Sequence, residues 1–445
     1  MKIAVVGGGG VRGPLLVRGL IGQHAALPAT EVSLFDPATD KLALLEPVCQ
    51  GLLERAGHPF RLRHSRSLED AVEGATFVIT SIRAGGMAAR AADERFLLNR
   101  GLLGQETVGA AGFAKAMRTI PPMCHIAETV KDHAPRAWII NFTNPVGIVT
   151  EAVIKASGAR IIGICDTPFD LYEGIAQALR TPLAELHCDY FGLNHLGWVK
   201  AVLHDGVNRL PEILKDDDRI REVYRHDLFE PERVRELGVL PSEYLYYYYR
   251  PARAIENLRQ AGQARAEAIE KMNEKLWEEL ARGGPAMEIY ERYLAGRNNS
   301  YMAAETTTAP KDRDQLYATA AGYDRIALAV MSAIHGDTRA VIPVNVPNQC
   351  AIDGLEDFDV VEVPCIIGRN GALPLAAGRP PKSVANLLQL VKNYERLTVV
   401  AALSGSAANA VRALSANPLI ADRDLATDLL AEFRAKHPDL LGYLH

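Results

Sequence analysis

Cys165 closes the apolar run Ile161-Ile162-Gly163-Ile164 and is followed by Asp166-Thr167-Pro168. Thirty residues on, His195 lies in the stretch YFGLNHLGW. A thiolate and an imidazole together suit a borderline-soft divalent ion. Two protein ligands leave positions open, and a catalytic ion fills such positions with substrate hydroxyls and water. Each residue also has a bland reading. Cys165 is then a small buried hydrophobe, and His195 a satisfied core or surface histidine. Spacing alone leaves both readings standing.

Other polar groups fall at the ends of apolar runs. Asn144 sits in Asn141-Phe-Thr-Asn144-Pro145, where an amide could orient a sugar hydroxyl or a nicotinamide, or could simply close an Asx turn. Arg83 in SIRAGG, Arg90 in AARAADE and Glu106 in LLGQETVG follow one candidate strand and could wall a cleft. Arginine's rigid fork suits a phosphate or carboxylate. The competing reading for each arginine is a surface salt bridge.

The segment Val5-Val6-Gly7-Gly8-Gly9-Gly10-Val11-Arg12-Gly13 joins a strand to an apolar helix. Glycines permit a tight turn, and the helix start offers free amides to a pyrophosphate. The fingerprint reads in two registers, Gly7-x-Gly9 with Arg12 in the third place, or Gly8-x-Gly10-x-x-Gly13. Asp36 ends the next strand, about 20 residues beyond the turn, where a carboxylate meets an adenosine ribose. A carboxylate there favours NAD over its phosphorylated form, because two like charges would otherwise meet. Its alternative is a turn or cap residue. Gly7, Gly9, Gly10, Val11, Asp36 and Arg83 are the candidate cofactor contacts.

These residues need a frame that brings strand ends together. Candidate strands Lys2–Val6, Glu31–Phe35, Thr76–Thr80, Trp138–Asn141 and Arg160–Ile164 alternate with helical stretches Leu15–Gly22, Lys41–Ala56 and Ala114–His133. Near-continuous apolar strands separated by helices predict a doubly wound parallel sheet covered on both faces. Ligands bind beyond the carboxyl ends of such strands, the edge on which Cys165 falls. From about residue 185 the pattern changes, with charged helical segments near 211–236 and 251–281, strand-like runs AVIPVNV and VVEVPCIIG, and Ala- and Leu-rich helices from about 383 to 436. The expected division is 1–170 for cofactor binding and 171–445 for metal and substrate binding and oligomerisation.

Composition narrows the function. The 445 residues carry a net charge of −5, with 48% apolar and 23% charged residues. That balance offers no basic footprint for nucleic acid or anionic membranes, while a local basic pocket remains open. No run approaches the roughly 20 apolar residues of a membrane span, and no basic stretch precedes an apolar leader. The six cysteines are dispersed without a C-x-x-C pair, which fits reduced usage and a cytoplasmic location.

Taken in order, VGGGGVRGP, SIRAGG, GQETVGAAGFAKAMRTIP, INFTNPVGIVTEA, GICDTP and GLNHLGW resemble the family 4 glycoside hydrolases. These are NAD- and manganese-dependent glycosidases, and the likeness is nearest to the 6-phospho-β-glucosidases. It continues through EYLYYYYR, QARAEAI and VVEVPCIIG. The resemblance implies a Rossmann-like domain fused to a mixed α/β (α+β) domain, in homodimers or homotetramers. It implies metal ligation at Cys165 and His195, and substrate contacts at Asn144, Arg90 and Arg265. Glu106 falls where the family carries an acidic residue near a catalytic tyrosine. That tyrosine lies in the cluster 244–249, and Tyr244 is the choice.

The implied chemistry departs from the usual pair of carboxylates. A hydride leaves C3 of the sugar for NAD⁺, the ketone acidifies C2, a tyrosine takes the C2 proton, and the aglycone departs from C1. Water then adds and the hydride returns. A free tyrosine with pKa about 10 needs a metal or cationic neighbour to favour its phenolate. The implied substrate is a phosphorylated glycoside, the ion Mn²⁺ or another divalent metal. Three departures bear on specificity. Gly8-Gly9-Gly10 stands where many members have G-G-S, the tyrosine run is fourfold, and Asp166 stands where many β-specific members have asparagine. The α-specific members use that aspartate as a proton donor, so 6-phospho-α-glucosides, galactosides and uronates remain alternatives. A plain NAD-dependent hydroxy-acid or sugar dehydrogenase, and a non-catalytic NAD-sensing regulator, are the readings from other classes.

Overall fold

The structure, a computed structural model, describes residues 1–224, 227–262, 264–298 and 322–445. Gln263 of the QARAEAI motif lies outside the described residues. Six parallel strands come first: β1 (Lys2–Val6), β2 (Glu31–Phe35), β3 (Arg61–His64), β4 (Phe77–Thr80), β5 (Trp138–Asn141) and β6 (Ile161–Gly163). They lie in the order β3-β2-β1-β4-β5-β6. The strand order reverses between β1 and β4, and the crevice for a ligand opens there. This is the Rossmann-like arrangement expected of the alternating pattern. β4 is buried along its whole length, as a strand with helices on both faces must be.

Seven helices accompany these strands: α1 (Gly13–Gly22), α2 (Thr39–Arg55), α3 (Leu68–Val72), α4 (Gly86–Asn99), α5 (Gly109–His133), α6 (Val146–Ser157) and α7 (Thr167–Leu179). The five expected strands and three expected helices appear as β1, β2, β4, β5, β6, α1, α2 and α5 with ends shifted by up to five residues, while β3, α3, α4, α6 and α7 are not among those expected. β3, Arg-Leu-Arg-His, carries no apolar run because it is the sheet's exposed edge strand, so its sequence gives no buried-strand signal.

The second half begins with a hairpin of β7 (His187–Leu193) and β8 (Leu196–His204), extended by β9 (Val207–Asn208) and β10 (Leu240–Pro241) into a small antiparallel sheet. The later strands β11 (Ala340–Pro347), β12 (Val360–Gly368) and β13 (Gly371–Pro374) join the main sheet beyond β6, antiparallel, making it nine-stranded among the described residues. Asn345 of β11 registers against Gly163 of β6. The main sheet therefore crosses residue 170, and one apolar core runs through both halves. The expected helical segment 211–236 is broken into Leu210–Leu214, Asp217–Val223 and Pro231–Leu237, where Asp216 caps a new start and Pro231 forces another. Among the described residues no helix is long and apolar enough to cross a membrane.

Candidate functional site

The glycine turn is built on contact between β1, β2 and β4. Gly7 takes φ 94°, and a side chain there would run into the Ser81 carbonyl beyond β4. Its amide and that of Gly8 both donate to the Phe35 carbonyl (2.8 and 3.0 Å). Gly13 opens α1 so close to the Gly8 carbonyl that only glycine fits. The two sequence registers are thus both used in part, Gly7 for the turn and Gly13 for the helix approach. Asp36 accepts the Gly9 amide at 3.1 Å and the Ala38 amide at 2.9 Å. Burial raises its pKa, and those two amides oppose the rise. Tyr290, from the helix Ala286–Asn298, donates to the Val11 carbonyl at 2.6 Å and ties the second half of the chain to the turn.

Beyond β4, three cations gather on one carboxylate. Glu106 pairs with Arg83, Lys115 and Arg90, the last at 2.6 Å. Burial alone would raise the Glu106 pKa, yet Arg83, Arg90 and Lys115 hold it well below the ordinary carboxylate range. Glu106 is a fixed anion. Arg90 is buried rather than at the surface, and its Nε donates to Glu94 at 2.6 Å. The other Glu94 oxygen accepts the Ala266 amide at 2.9 Å, capping the helix Arg265–Ala281 from outside. This carboxylate therefore brings the start of that helix, where Arg265 stands, beside Arg90. Lys115 is pushed down to about 7 by burial, opposed by Glu106 and reinforced by Arg83.

Cys165 follows β6 and precedes α7, fully buried, its thiol donating to Thr167 Oγ1 at 3.3 Å. Burial, with Glu362 and Asp166 nearby, pushes the thiol pKa well above its usual value. A bound cation would reverse that balance and favour the thiolate. Asp166 holds the N-cap position of α7 without capping it through its side chain, and its Oδ1 lies 3.8 Å from the sulfur.

His195 occupies the turn between β7 and β8 with φ 62°, a left-handed conformation unusual for a residue with a side chain. Buried Glu362 ties this turn to the end of β6. Glu362 accepts Asn345 Nδ2 at 2.7 Å, Asn194 Nδ2 at 3.4 Å and the Tyr190 hydroxyl at 2.7 Å. Asn345 faces Gly163, two residues before Cys165, and Asn194 directly precedes His195. Burial lowers the His195 pKa to about 3, with Glu106 opposing and Lys115 assisting, so the ring is the neutral form that metals bind. Among the described residues no three His, Cys, Asp or Glu side chains gather into a complete protein cage. A thiol and a neutral imidazole are each donors of the kind a borderline-soft divalent ion takes.

The tyrosines separate by their surroundings. β10 pairs with β8, and Ser242 donates its amide to the Gly197 carbonyl at 2.8 Å. That pairing sets Tyr244 flat against His195, with ring centroids 3.7 Å apart and planes 12° from parallel. Tyr244 also lies within electrostatic reach of the Arg90 guanidinium. Tyr246 accepts Asn257 Nδ2, Tyr249 accepts Trp198 Nε1, and Tyr248 lies by Tyr394 and Glu395. Of the two asparagines, Asn141 makes the Asx turn, accepting the Thr143 amide at 2.8 Å and the Thr80 hydroxyl at 2.9 Å. Asn144 Oδ1 is buried without a hydrogen-bond partner among the described residues. It is an acceptor held for something else.

Several residues of this region carry no separate signal in the sequence. Lys115 stands between alanines in FAKAM, and a lysine inside an apolar helix face was the available clue. Gln105, Thr107, Glu94 and Glu362 could not be distinguished from ordinary surface polar residues without the fold.

Known proteins share this architecture along almost the whole chain. Residues 2–181 match the model of the family 4 glycosyl hydrolases, and residues 190–420 match that of the family 4 glycosyl hydrolase C-terminal domain. The 6-phospho-β-glucosidase of Escherichia coli (strain K12) is 34% identical over 97% of this chain and 94% of its own length. A 6-phospho-α-glucosidase from gut microorganisms, solved with NAD and Mn²⁺, superposes with a TM-score of 0.84 at 25% identity, covering 99% of this chain and 98% of that one. The Thermotoga maritima 6-phospho-β-glucosidase, solved with manganese, NAD⁺ and glucose 6-phosphate, gives 0.83 at 27% identity and covers 99% of both chains.

Proposed function

The chain belongs to glycosyl hydrolase family 4, and from that premise we propose that it hydrolyses 6-phospho-β-glucosides by oxidation, elimination, addition and reduction. NAD and a divalent ion, manganese in the relatives' complexes, are its cofactors. When bound, the nicotinamide supplies a reversible hydride acceptor and the ion a Lewis acid for sugar oxygens. Gly7, Gly9, Gly10 and Val11 would present backbone to the pyrophosphate, Asp36 would meet the ribose, and Arg83 would be a further cofactor contact. Cys165 and His195 would hold the ion.

Tyr244 removes the C2 proton. Arg90 beside it favours its phenolate, as a cation does for any neighbouring acid, and the parallel His195 ring fixes its direction. Glu106 stays ionised and acts by holding Arg90, Arg83 and Lys115, rather than by passing a proton. Asn144 offers its unpaired carbonyl to a sugar hydroxyl, and Arg90 and Arg265 receive the phosphorylated substrate. The observation that carries this reading is Tyr244 stacked on His195 beside Arg90. We place the enzyme in the cytoplasm as a homodimer or homotetramer, with residues 1–170 serving the cofactor and 171–445 the metal, substrate and assembly.

Asp166 favours a second reading. Its carboxylate lies 3.8 Å from the Cys165 sulfur and does not cap α7 through its side chain, so it could protonate the oxygen departing from an α-glucoside. Assay of 4-nitrophenyl α- and β-glucoside 6-phosphates, with and without NAD⁺ and Mn²⁺, tests both. Turnover of the β-anomer that needs both cofactors, without net NADH, is the expected result. Preference for the α-anomer moves the assignment to the second reading, and net NADH accumulation replaces it by a dehydrogenase.

A further inference from the structure

A short loop reaches His195 at its Nδ1. Gln105 and Val108 form an isolated antiparallel bridge, and the Gln105 side chain closes it. Its Oε1 accepts the backbone amides of Thr107 at 2.7 Å and Val108 at 2.9 Å. Two amide donors fix which end of the carboxamide is oxygen, so Gln105 cannot be flipped. The Thr107 hydroxyl lies 3.1 Å from that same oxygen and 2.8 Å from His195 Nδ1. A hydroxyl has one proton. If it pointed at the imidazole, two oxygen lone pairs would face each other at 3.1 Å. Pointed at Gln105, it leaves a lone pair for His195, whose Nδ1 must then carry the proton. His195 Nε2 makes no hydrogen bond among the described residues.

We propose that Gln105 and Thr107 are positioning residues that lock His195 as the Nδ1–H tautomer, leaving the Nε2 lone pair for the divalent ion. The proposal rests on the reading that His195 is a metal ligand. Backbone geometry fixes Gln105, Gln105 directs the Thr107 proton, and Thr107 sets the ring. An imidazole that ligates through one nitrogen is generally held by a hydrogen bond from the other, and losing that partner weakens metal binding about 10- to 100-fold. Here the same bond also holds the ring against which Tyr244 lies, so one hydroxyl orients both the ligand and the base.

The test is Mn²⁺ titration of full-length, metal-free enzyme, reading free Mn²⁺ by electron paramagnetic resonance, with NAD affinity measured in parallel. Thr107→Val removes the acceptor while keeping the shape, Thr107→Ser restores it, and His195→Ala removes the ligand. The expected result is a dissociation constant raised about 10- to 100-fold in Thr107→Val, close to wild type in Thr107→Ser, with NAD affinity unchanged in both. If His195→Ala loses Mn²⁺ while Thr107→Val keeps wild-type affinity, the positioning role is overturned and the ligand assignment stands. If His195→Ala binds Mn²⁺ as wild type does, the ligand assignment fails and the proposal falls with it. Equal losses of Mn²⁺ and NAD affinity in both threonine variants would mark a structural residue and overturn the proposal. Nitrogen-15 resonances of the wild-type histidine rings, with His195 assigned by its absence in His195→Ala, give a readout independent of variant folding. Proton at Nδ1 agrees; proton at Nε2 overturns.

Discussion

Among the described residues two lysines are buried, and their environments push them in opposite directions. Lys392 lies between α6 and its own helix, Lys382–Ser404. It donates to Glu151 at 2.7 Å, to Glu395 at 2.9 Å and to the Val360 carbonyl at 2.9 Å. Lys155 and Arg396 complete the set with Asp359, so three cations meet three carboxylates. Although burial disfavours its charge, Glu395 and Glu151 raise the Lys392 pKa. Lys115 sits where, among the described residues, Arg83, Arg90 and Lys115 itself pair with Glu94 and Glu106. Its pKa is pushed down to about 7. The first cluster is neutral and closed by backbone, as a part of the frame should be. Among the described residues the second has one cation more than it has anions, and it gathers beyond the end of β4, which Arg83 follows by three residues. An excess of buried positive charge is costly unless an anion arrives, and a phosphorylated sugar with a dinucleotide supplies one.

The contrast can be broken from either side. Tyr244→Phe removes the proposed base and leaves every lysine, arginine and carboxylate of both clusters in place. Its kcat should fall roughly 10²- to 10⁴-fold, while its denaturation midpoint and NAD affinity stay close to wild type. A variant that keeps its turnover would remove Tyr244 from the chemistry. Lys392→Met strikes the frame, leaving Glu151 and Glu395 buried without a partner. Denaturant unfolding should show a loss of about 3–5 kcal/mol, with turnover per folded molecule retained. Lost turnover at full stability would mean that the neutral cluster is part of the site.

Lys115→Met gives the smallest effect and sharpens the comparison most. Its depressed pKa means that the side chain is charged below about 7 and neutral above. The wild-type cleft therefore loses its extra cation as pH rises through that value. KM for the phosphorylated substrate should rise across the same range by roughly tenfold, the size of one partly screened charge-assisted contact. The substrate phosphate ionises in a similar range, and it does so equally for wild type and variant. In Lys115→Met the step due to the lysine should vanish, leaving only the phosphate's own. Identical pH profiles would show that the excess charge is not used for binding.

How far the sequence foretold these two regions follows from what each is made of. The frame strands β1, β2, β4, β5 and β6 are legible because burial on both faces writes continuous apolar runs. Edge strand β3 is not, because an exposed edge has no reason to be apolar. Gly7 through Gly13 and Asp36 are legible because a tight strand–turn–helix connection restricts residue type and spacing. Cys165 and His195 could be paired only through resemblance, since what unites them is Glu362 reaching Asn345 and Asn194 from strand β12, far along the chain. Tyr244 too is chosen among its neighbours through resemblance, because the β8–β10 pairing that lays it against His195 joins elements distant in the chain. Lys115 and Thr107 act through side chains whose partners lie on other elements, and no local pattern marks them. The antiparallel strands β11 and β12 read correctly as strands, the short β13 does not, and their place beyond β6 is a fact of topology that periodicity does not carry.

The central claim is that the glycosidic bond breaks after a proton leaves C2, not by direct displacement at C1. Turnover of the 6-phosphoglucoside in heavy water, with NAD⁺ and Mn²⁺, tests it by the isotope found at C2 of the released sugar phosphate. Deuterium at C2, lost in Tyr244→Phe together with turnover, is the predicted result. Release of sugar phosphate that keeps its original hydrogen at C2 would contradict the account.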